Sequence, residues 1–419
     1  MPDSSSTVPR LTYLRIKNYR ALRDVEFRDL TPLTVLIGPN GSGKSTVLDA
    51  LDFLAEAVRG NMQAAWEKRD RFRGMRTRGS EENIEFKVTI INDLYDYSLD
   101  YSLSIQESAG ELFILNEKFI EKNGVGKAQV AYVLSKSQGW YSHFEIFKIK
   151  ENEEVPESAF DNDLESVFDG NGTARSQTNS VEILISFDNP LKEKAVVFDK
   201  LISSYRLFHL TDDHLKGYSD AGPREKLSPN GDNLPNVFYY LHERHPETLA
   251  RITAQLRRWV PQLADIVPEI TSDERLLLRF KDGPFEKPLP AQYMSGGTMR
   301  LAALLTLLYE PNATGLLGIE EPENELHPQL LPRLAEELIT ASETRQLLVA
   351  THSPALLNAL APEQVWILHR GPDGYTQATR TADLPGIPAM VEEGSPLGYL
   401  WARNFFDVGN PLDSPLASK

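Results

Sequence analysis

The spacing of apolar residues changes several times along the chain, and each change marks a different kind of element. Leu11-Thr12-Tyr13-Leu14-Arg15-Ile16-Lys17 alternates apolar and polar positions as a strand does, and Ala21-Leu22-Arg23-Asp24-Val25-Glu26-Phe27 does so again. Leu33-Thr34-Val35-Leu36-Ile37 is a short apolar strand, followed across a glycine-rich loop by Val47–Leu54 with apolar residues at helical spacing. From Asn83 to about Lys150 period two returns. Ile84, Phe86, Val88 and Ile90, then Tyr97, Leu99, Tyr101, Leu103 and Ile105, then Leu112–Leu115 and Tyr141–Ile149, predict an antiparallel meander. Glu151–Ser180 is acidic and rich in Asn, Gly and Ser, which predicts an exposed loop. Leu234–Val260 reads as helix pieces punctuated by Pro235 and Pro246, with Leu249, Ile252, Leu256 and Val260 along one stripe. Leu301–Leu308 predicts an apolar helix, and Leu316–Ile319 and Gln346–Ala350 predict buried strands. Strands and helices in this order predict an α/β fold with an antiparallel β subdomain and a helical lobe.

Composition narrows the picture. A chain of 419 residues is longer than one ordinary core supports, so two lobes are expected. With 44 basic and 60 acidic residues the net charge is −16, so any contact with nucleic acid must be focal. There is no cysteine, which excludes disulfides, thiol nucleophiles and cysteine zinc sites. Met1-Pro2-Asp3-Ser4-Ser5-Ser6 lacks the basic and apolar regions of a signal peptide, and no apolar run is long enough to cross a bilayer, so a cytoplasmic protein without membrane contact is expected.

The loop after the short apolar strand carries the first chemistry. Gly38-Pro39-Asn40-Gly41-Ser42-Gly43-Lys44-Ser45-Thr46 matches G-x-x-x-x-G-K-[ST] between a strand and a helix. Glycines let backbone N–H groups turn inward around a polyphosphate, and the helix N-terminus favours the anion. Lys44 would reach the β- and γ-phosphates, and the Ser45 hydroxyl would bind Mg²⁺. A second anion site is expected where Ser295-Gly296-Gly297 opens the Leu301–Leu308 helix. Ile319-Glu320-Glu321-Pro322 delivers two consecutive carboxylates at a strand end, and side chains alternate across a strand, so the two cannot share one task. Glu320 is assigned to Mg²⁺ through water, and Glu321 to orienting and deprotonating an attacking water. Glu323 and Glu325 are expected to be surface acids. His352, at the end of an apolar strand and before Ser353-Pro354, is placed to sense a γ-phosphate.

Four further stretches stay open between two readings. Asn18-Tyr19-Arg20 is an ordinary strand end, or an aromatic and a cation meeting a nucleotide. Lys68–Arg78 carries six basic residues beside Trp66, Phe72 and Met75; it is either a solvated surface balanced by Glu81 and Glu82, or a DNA contact in which arginines pair with phosphates and Trp66 or Phe72 stacks on a base. The pairs His209/His214 and His242/His245 lack a third ligand and read as solvated or hydrogen-bonded histidines. The apolar and aromatic tail from Asp383 through Phe406 either packs on its own domain or docks a partner.

Taken together, Gly38–Thr46, Ser295-Gly296-Gly297, Ile319-Glu320-Glu321-Pro322 and Thr351-His352-Ser353 resemble the Walker A, signature, Walker B and switch-histidine motifs of ABC-type ATPase heads of the SMC/RecF class. The resemblance extends to the stand-alone predicted ATPases related to the OLD (overcoming-lysogenization-defect) proteins. It implies a head split by an insertion: an N-terminal half over 1–150, an insertion or helical lobe over 151–285, a C-terminal half over 286–380 and a tail over 381–419. It also implies ATP and Mg²⁺ as ligands, and a homodimer clamping two ATP molecules between Walker A of one subunit and the signature of the other. A separately encoded effector nuclease in antiviral defence is the implied partner, and a RecF-like DNA-repair clamp the alternative. Three departures stand out. Glu320 replaces the usual Walker B aspartate, Thr298-Met299-Arg300 replaces the glutamine after the signature glycines, and the glutamine loop has no assigned residue. No sustained heptads predict coiled-coil arms, and the stretch after Pro354 is too short for a Toprim nuclease domain, so no cleavage by this chain is expected.

Overall fold

The computed structural model describes residues 8–410 except 93, 109, 124–128, 138–139, 150–190 and 284, so the acidic Glu151–Ser180 stretch lies outside the described residues. In chain order the strands are β1 (Arg10–Tyr19), β2 (Leu22–Phe27), β3 (Leu33–Ile37), β4 (Ile84–Asn92), β5 (Tyr97–Ser108), β6 (Glu111–Asn123), β7 (Gln129–Ser137) and β8 (Trp140–Ile149). They continue with β9 (Arg206–Phe208), β10 (Ser219–Asp220), β11 (Leu263–Ile270), β12 (Arg275–Asp282), β13 (Leu289–Pro290), β14 (Leu316–Glu320), β15 (Gln346–Thr351), β16 (Val365–Arg370) and β17 (Thr376–Arg380).

The period-two segments form a seven-stranded antiparallel sheet in the order β2-β1-β4-β5-β6-β7-β8. Its inward face is the alternating set: Leu14 lies opposite Val88 and Ile16 opposite Phe86, all buried. Leu11 and Leu14 both point inward although three residues apart, because a bulge between Leu11 and Tyr13 inserts the extra residue.

The apolar strands form a second sheet in the order β17-β16-β3-β15-β14-β9, parallel except for the β16–β17 hairpin. Every residue of β3 and β15 is buried, as expected of parallel strands covered on both faces. Alternation then feeds two cores. Val35 and Ile37 pack with the helices Leu234–Arg244, Pro246–Trp259, Gly296–Leu308 and Leu331–Ala341. Leu36, Leu348 and Ala350 pack on the other side with the helix Lys44–Glu56, the helix Lys192–Ser203 and the antiparallel sheet. A third sheet, β10-β12-β11 with β13 on β12, was not read from the sequence. The tail packs on its own domain: Leu397, Leu400 and Phe406 are buried in the first core.

This arrangement places the C-terminal ends of β3, β15, β14 and β9 side by side along one edge, where ligands of parallel sheets bind.

Candidate nucleotide site

At the end of β3 the chain turns through Gly38–Gly43 into the helix Lys44–Glu56. Gly43, the residue before the helix, holds φ at 107°, and a Cβ there would stand 2.5 Å from Thr376 Oγ1. A glycine is therefore required on both counts. The β16–β17 hairpin braces the loop from outside: Thr376 Oγ1 donates to Ser42 O at 2.8 Å, and Arg370 Nε donates to Gly41 O at 2.7 Å. Asn40, Gly41 and Ser45 are exposed, whereas Ser42 is buried with its hydroxyl oxygen unpartnered.

Lys44 is buried, and among the described residues its ammonium reaches no carboxylate and instead meets Gly38 O at 2.8 Å, Pro39 O at 3.1 Å and His352 Nδ1 at 3.4 Å. Burial pushes its pKa down to about 8 against the pull of Glu321, Glu323 and Glu320. A buried cation folded back on its own loop's carbonyls fits a site whose missing partner is an anion.

Opposite it, β14 delivers the two carboxylates. Glu321 leaves the strand at φ 46°, with its N–H donating to Ala350 O at 2.8 Å. Its Oε2 accepts from Asn324 Nδ2 at 2.6 Å, and its Oε1 lies 3.2 Å from His352 Nε2. Lys44, Glu321 and His352 are thus brought together. Glu320 stands apart from them, 3.3 Å from His209 Nδ1 at its Oε2. Among the described residues no group of three His, Asp or Glu side chains forms a metal cage. Ser45 and Glu320 fit a magnesium held by one or two protein groups together with substrate phosphates.

The expectation for Glu323 is corrected. It is half-buried, and its Oε1 accepts from Thr351 Oγ1 at 2.6 Å and from the His352 N–H at 2.7 Å, so it fixes the backbone that carries the histidine. Glu325 is exposed, as expected.

Ser295 caps the helix Gly296–Leu308, its Oγ accepting from the Thr298 N–H at 3.2 Å. Gly297 is packed so closely that a Cβ would come 2.6 Å from Glu325 O. Among the described residues no hydrogen bond or ion pair joins Ser295–Gly297 to the phosphate loop. One connection from this helix to the site escaped the sequence reading. Arg300, 3% exposed, donates from Nη2 to the carbonyl of Glu321 at 2.6 Å. Burial lowers its pKa despite the nearby Glu325, Glu323 and Glu321. Its one visible signal was a lone charge inside an apolar helix.

The basic stretch is partly absorbed by the fold. Trp66 and Phe72 are buried, so neither is available to stack on a base, because both fill the core beneath the helix Lys44–Glu56. Arg69 is buried in ion pairs with Asp49, Asp52 and Glu56, and Lys68 pairs with Asp52 and Glu56. Tyr19 is buried too, with its hydroxyl on Asp49 at 2.5 Å, which rules out its meeting a nucleotide. What remains is a cleft of about 650 Å³ whose lining includes Arg20, Arg73, Arg76, Arg78, Arg370 and Tyr375, directly outside the phosphate loop. Arg20 reaches Asp49 at 2.8 Å, while Arg73 and Arg78 have no carboxylate within 4 Å among the described residues. The His242/His245 pair is bonded locally: Tyr240 Oη lies 3.3 Å from His245 Nε2, and His242 faces Glu243 at 3.3 Å.

Comparison with known proteins gives three findings. The family model described as "AAA domain, putative AbiEii toxin, Type IV TA system" matches residues 33–358. The OLD nuclease of Thermus scotoductus (strain ATCC 700910 / SA-01) is 48% identical over 44 residues, spanning 10% of this chain and only 8% of that protein. Among solved structures, the SMC head domain from Thermotoga maritima is 15% identical with a TM-score of 0.41, covering 88% of this chain and 98% of that one. The Smc head domain with an extended coiled coil bound to the C-terminal domain of ScpA, from Pyrococcus furiosus, is 13% identical with a TM-score of 0.47, covering 92% and 100%. At these scores the structural likenesses carry no argument about activity. No described helix is long and apolar enough to cross a membrane.

Proposed function

The chain belongs to the AAA-domain family that it matches over residues 33–358, and from that premise we propose that it binds and hydrolyses ATP. The observation that carries this is Lys44, a buried ammonium with no carboxylate within 4 Å among the described residues, set at the mouth of a glycine loop beside the Glu321–His352 pair. Backbone N–H groups of Gly41–Thr46 and the Lys44 ammonium hold the phosphates. Glu321 takes the proton of the attacking water, with its carboxylate held by Asn324 and its backbone by Arg300. His352, its N–H anchored on Glu323, stands between the base and Lys44 and reports whether a γ-phosphate is present. Ser45 and Glu320 would hold Mg²⁺, which supplies charge neutralisation on the phosphates.

Ser295 is exposed, and among the described residues Ser295–Gly297 make no hydrogen bond or ion pair to the loop of their own chain. This supports a reading in which they complete the site of a second copy, so that two heads close on two ATP molecules and gate a separately encoded effector, a nuclease in anti-phage defence. A second reading, direct DNA binding in repair, is favoured by the arginine cleft beside the loop.

One experiment tests the core of this. Wild-type protein should release phosphate from ATP, and Glu321→Gln should lose release while doubling its mass by light scattering when ATP is added. Lys44→Ala should neither release phosphate nor double its mass. Equal phosphate release by wild type and Glu321→Gln would refute the assignment of the base. A nuclease co-purifying from the native host with Glu321→Gln but not with Lys44→Ala would favour the gated effector, and DNA alone the repair reading.

A further inference from the structure

We propose that His209 is a positioning residue that holds the Glu320 carboxylate in the orientation a divalent metal needs. The inference rests on the reading of Glu320 given above. β9 and β14 are parallel neighbours with Phe208 opposite Ile319, so the next residues, His209 just past β9 and Glu320 at the last position of β14, stand side by side at the ligand-binding edge. The Nδ1 of His209 stands 3.3 Å from Glu320 Oε2. Among the described residues the Glu320 carboxylate makes no hydrogen bond, and no lysine or arginine comes within 4 Å of it, although its side chain is only 17% exposed. One oxygen of a half-buried carboxylate therefore faces a ring nitrogen, and the other has no partner among the described residues.

His209 itself is anchored, its backbone N–H donating to Pro229 O at 3.0 Å. The arrangement repeats the one at Glu321, whose Oε1 lies 3.2 Å from His352. Each of the two consecutive carboxylates thus has its own histidine, supplied by the strand on either side of β14. Glutamate is one methylene longer than aspartate, so it has one more rotatable bond to fix; a ring set against one oxygen fixes it.

The test uses Mn²⁺ as the probe, followed by electron paramagnetic resonance, in the Glu321→Gln background with ATP bound. His209→Ala should weaken Mn²⁺ binding about tenfold, the usual size for loss of an outer ligand partner. Binding of a fluorescent ATP analogue in EDTA should stay within about threefold, since the phosphate loop is untouched. His209→Asn, whose amide nitrogen falls near the position of Nδ1, should recover most of the Mn²⁺ affinity. His209→Ala should add nothing to Glu320→Gln. Unchanged Mn²⁺ affinity in His209→Ala, where Glu320→Gln loses it, would overturn the positioning role and leave the metal assignment standing. A loss that His209→Asn does not recover would also overturn it. Unchanged affinity in Glu320→Gln would remove the metal assignment itself.

Discussion

Replacing Arg300 by Met should separate activity from stability. The guanidinium is buried and donates to the carbonyl of Glu321, and its Nε finds no partner. A hydrogen bond from a charged donor contributes about 1.5–3 kcal/mol. Glu321 is held at φ 46°, a conformation that disfavours a non-glycine residue by about 1–2 kcal/mol, so losing the tether lets it relax. At about 1.4 kcal/mol per tenfold in rate, the hydrolytic step should slow by roughly 10–150-fold. Stability should respond differently. Met has similar length and removes an incompletely satisfied buried charge, while the Glu321 carbonyl loses its donor at a cost of about 1–3 kcal/mol, so gain and cost largely cancel. The loss of attraction to Glu321, Glu323 and Glu325 offsets part of that gain. The assay is phosphate release at saturating ATP, with equilibrium binding of a fluorescent ATP analogue and a calorimetric melt on the same preparations. The expected result is slow release, affinity within about threefold of wild type and a melting temperature that does not fall by more than about 4 °C. Release within threefold of wild type would refute the tether, and a melt lowered by more than about 8 °C would make Arg300 a residue of the fold instead.

Lys44 sets a pH dependence. Its folded pKa of about 8 lies below the ordinary 10.5, so its charge opposes folding below pH 8, and that cost is relieved as pH rises from 8 toward 10.5. A bound phosphate favours the ammonium, so ATP affinity should fall between pH 8 and 9.5 by up to about tenfold per unit, and Lys44→Met should flatten the profile in a fluorescence titration. Gly43→Ala forces a left-handed alanine against Thr376 Oγ1; nucleotide binding should drop by about tenfold or more, with Thr376→Ala, which removes that oxygen, recovering little because the backbone strain of about 1–3 kcal/mol remains. Under the DNA-binding reading, Arg73→Ala with Arg78→Ala should weaken DNA binding and lower its salt slope by about two in a filter assay while leaving ATP binding unchanged; an unaltered slope would remove that reading's structural support.

The sequence disclosed those parts of the site that depend on local chemistry. Gly38–Thr46 is legible because glycine, lysine and serine are each demanded at a fixed offset within one turn, and the flanking patterns name a strand and a helix. β4 and β5 are legible for a similar reason, since one buried face forces alternation. What was missed depends on pairings far apart in the chain. The sequence around Glu323 looks like an acidic loop; only the β14–β15 pairing sets its carboxylate against Thr351 and His352. His209 was weighed against His214, five residues away, whereas its partner Glu320 is reached through the parallel pairing of β9 with β14. Trp66 and Phe72 misled for the converse reason. Aromatic residues among arginines have the composition of a nucleic-acid surface, yet here the rings are buried and the guanidiniums of Arg71 and Arg76 lie over them. Arg300 is the most instructive of these cases. An arginine in the second turn of an apolar helix reads as a tolerated exception, but burial makes it a requirement, because a cation in that position must find an acceptor. The acceptor it finds is the backbone of Glu321. The helix whose exposed Ser295 end is proposed to meet a second copy is therefore tied, within two turns, to the residue assigned to the attacking water.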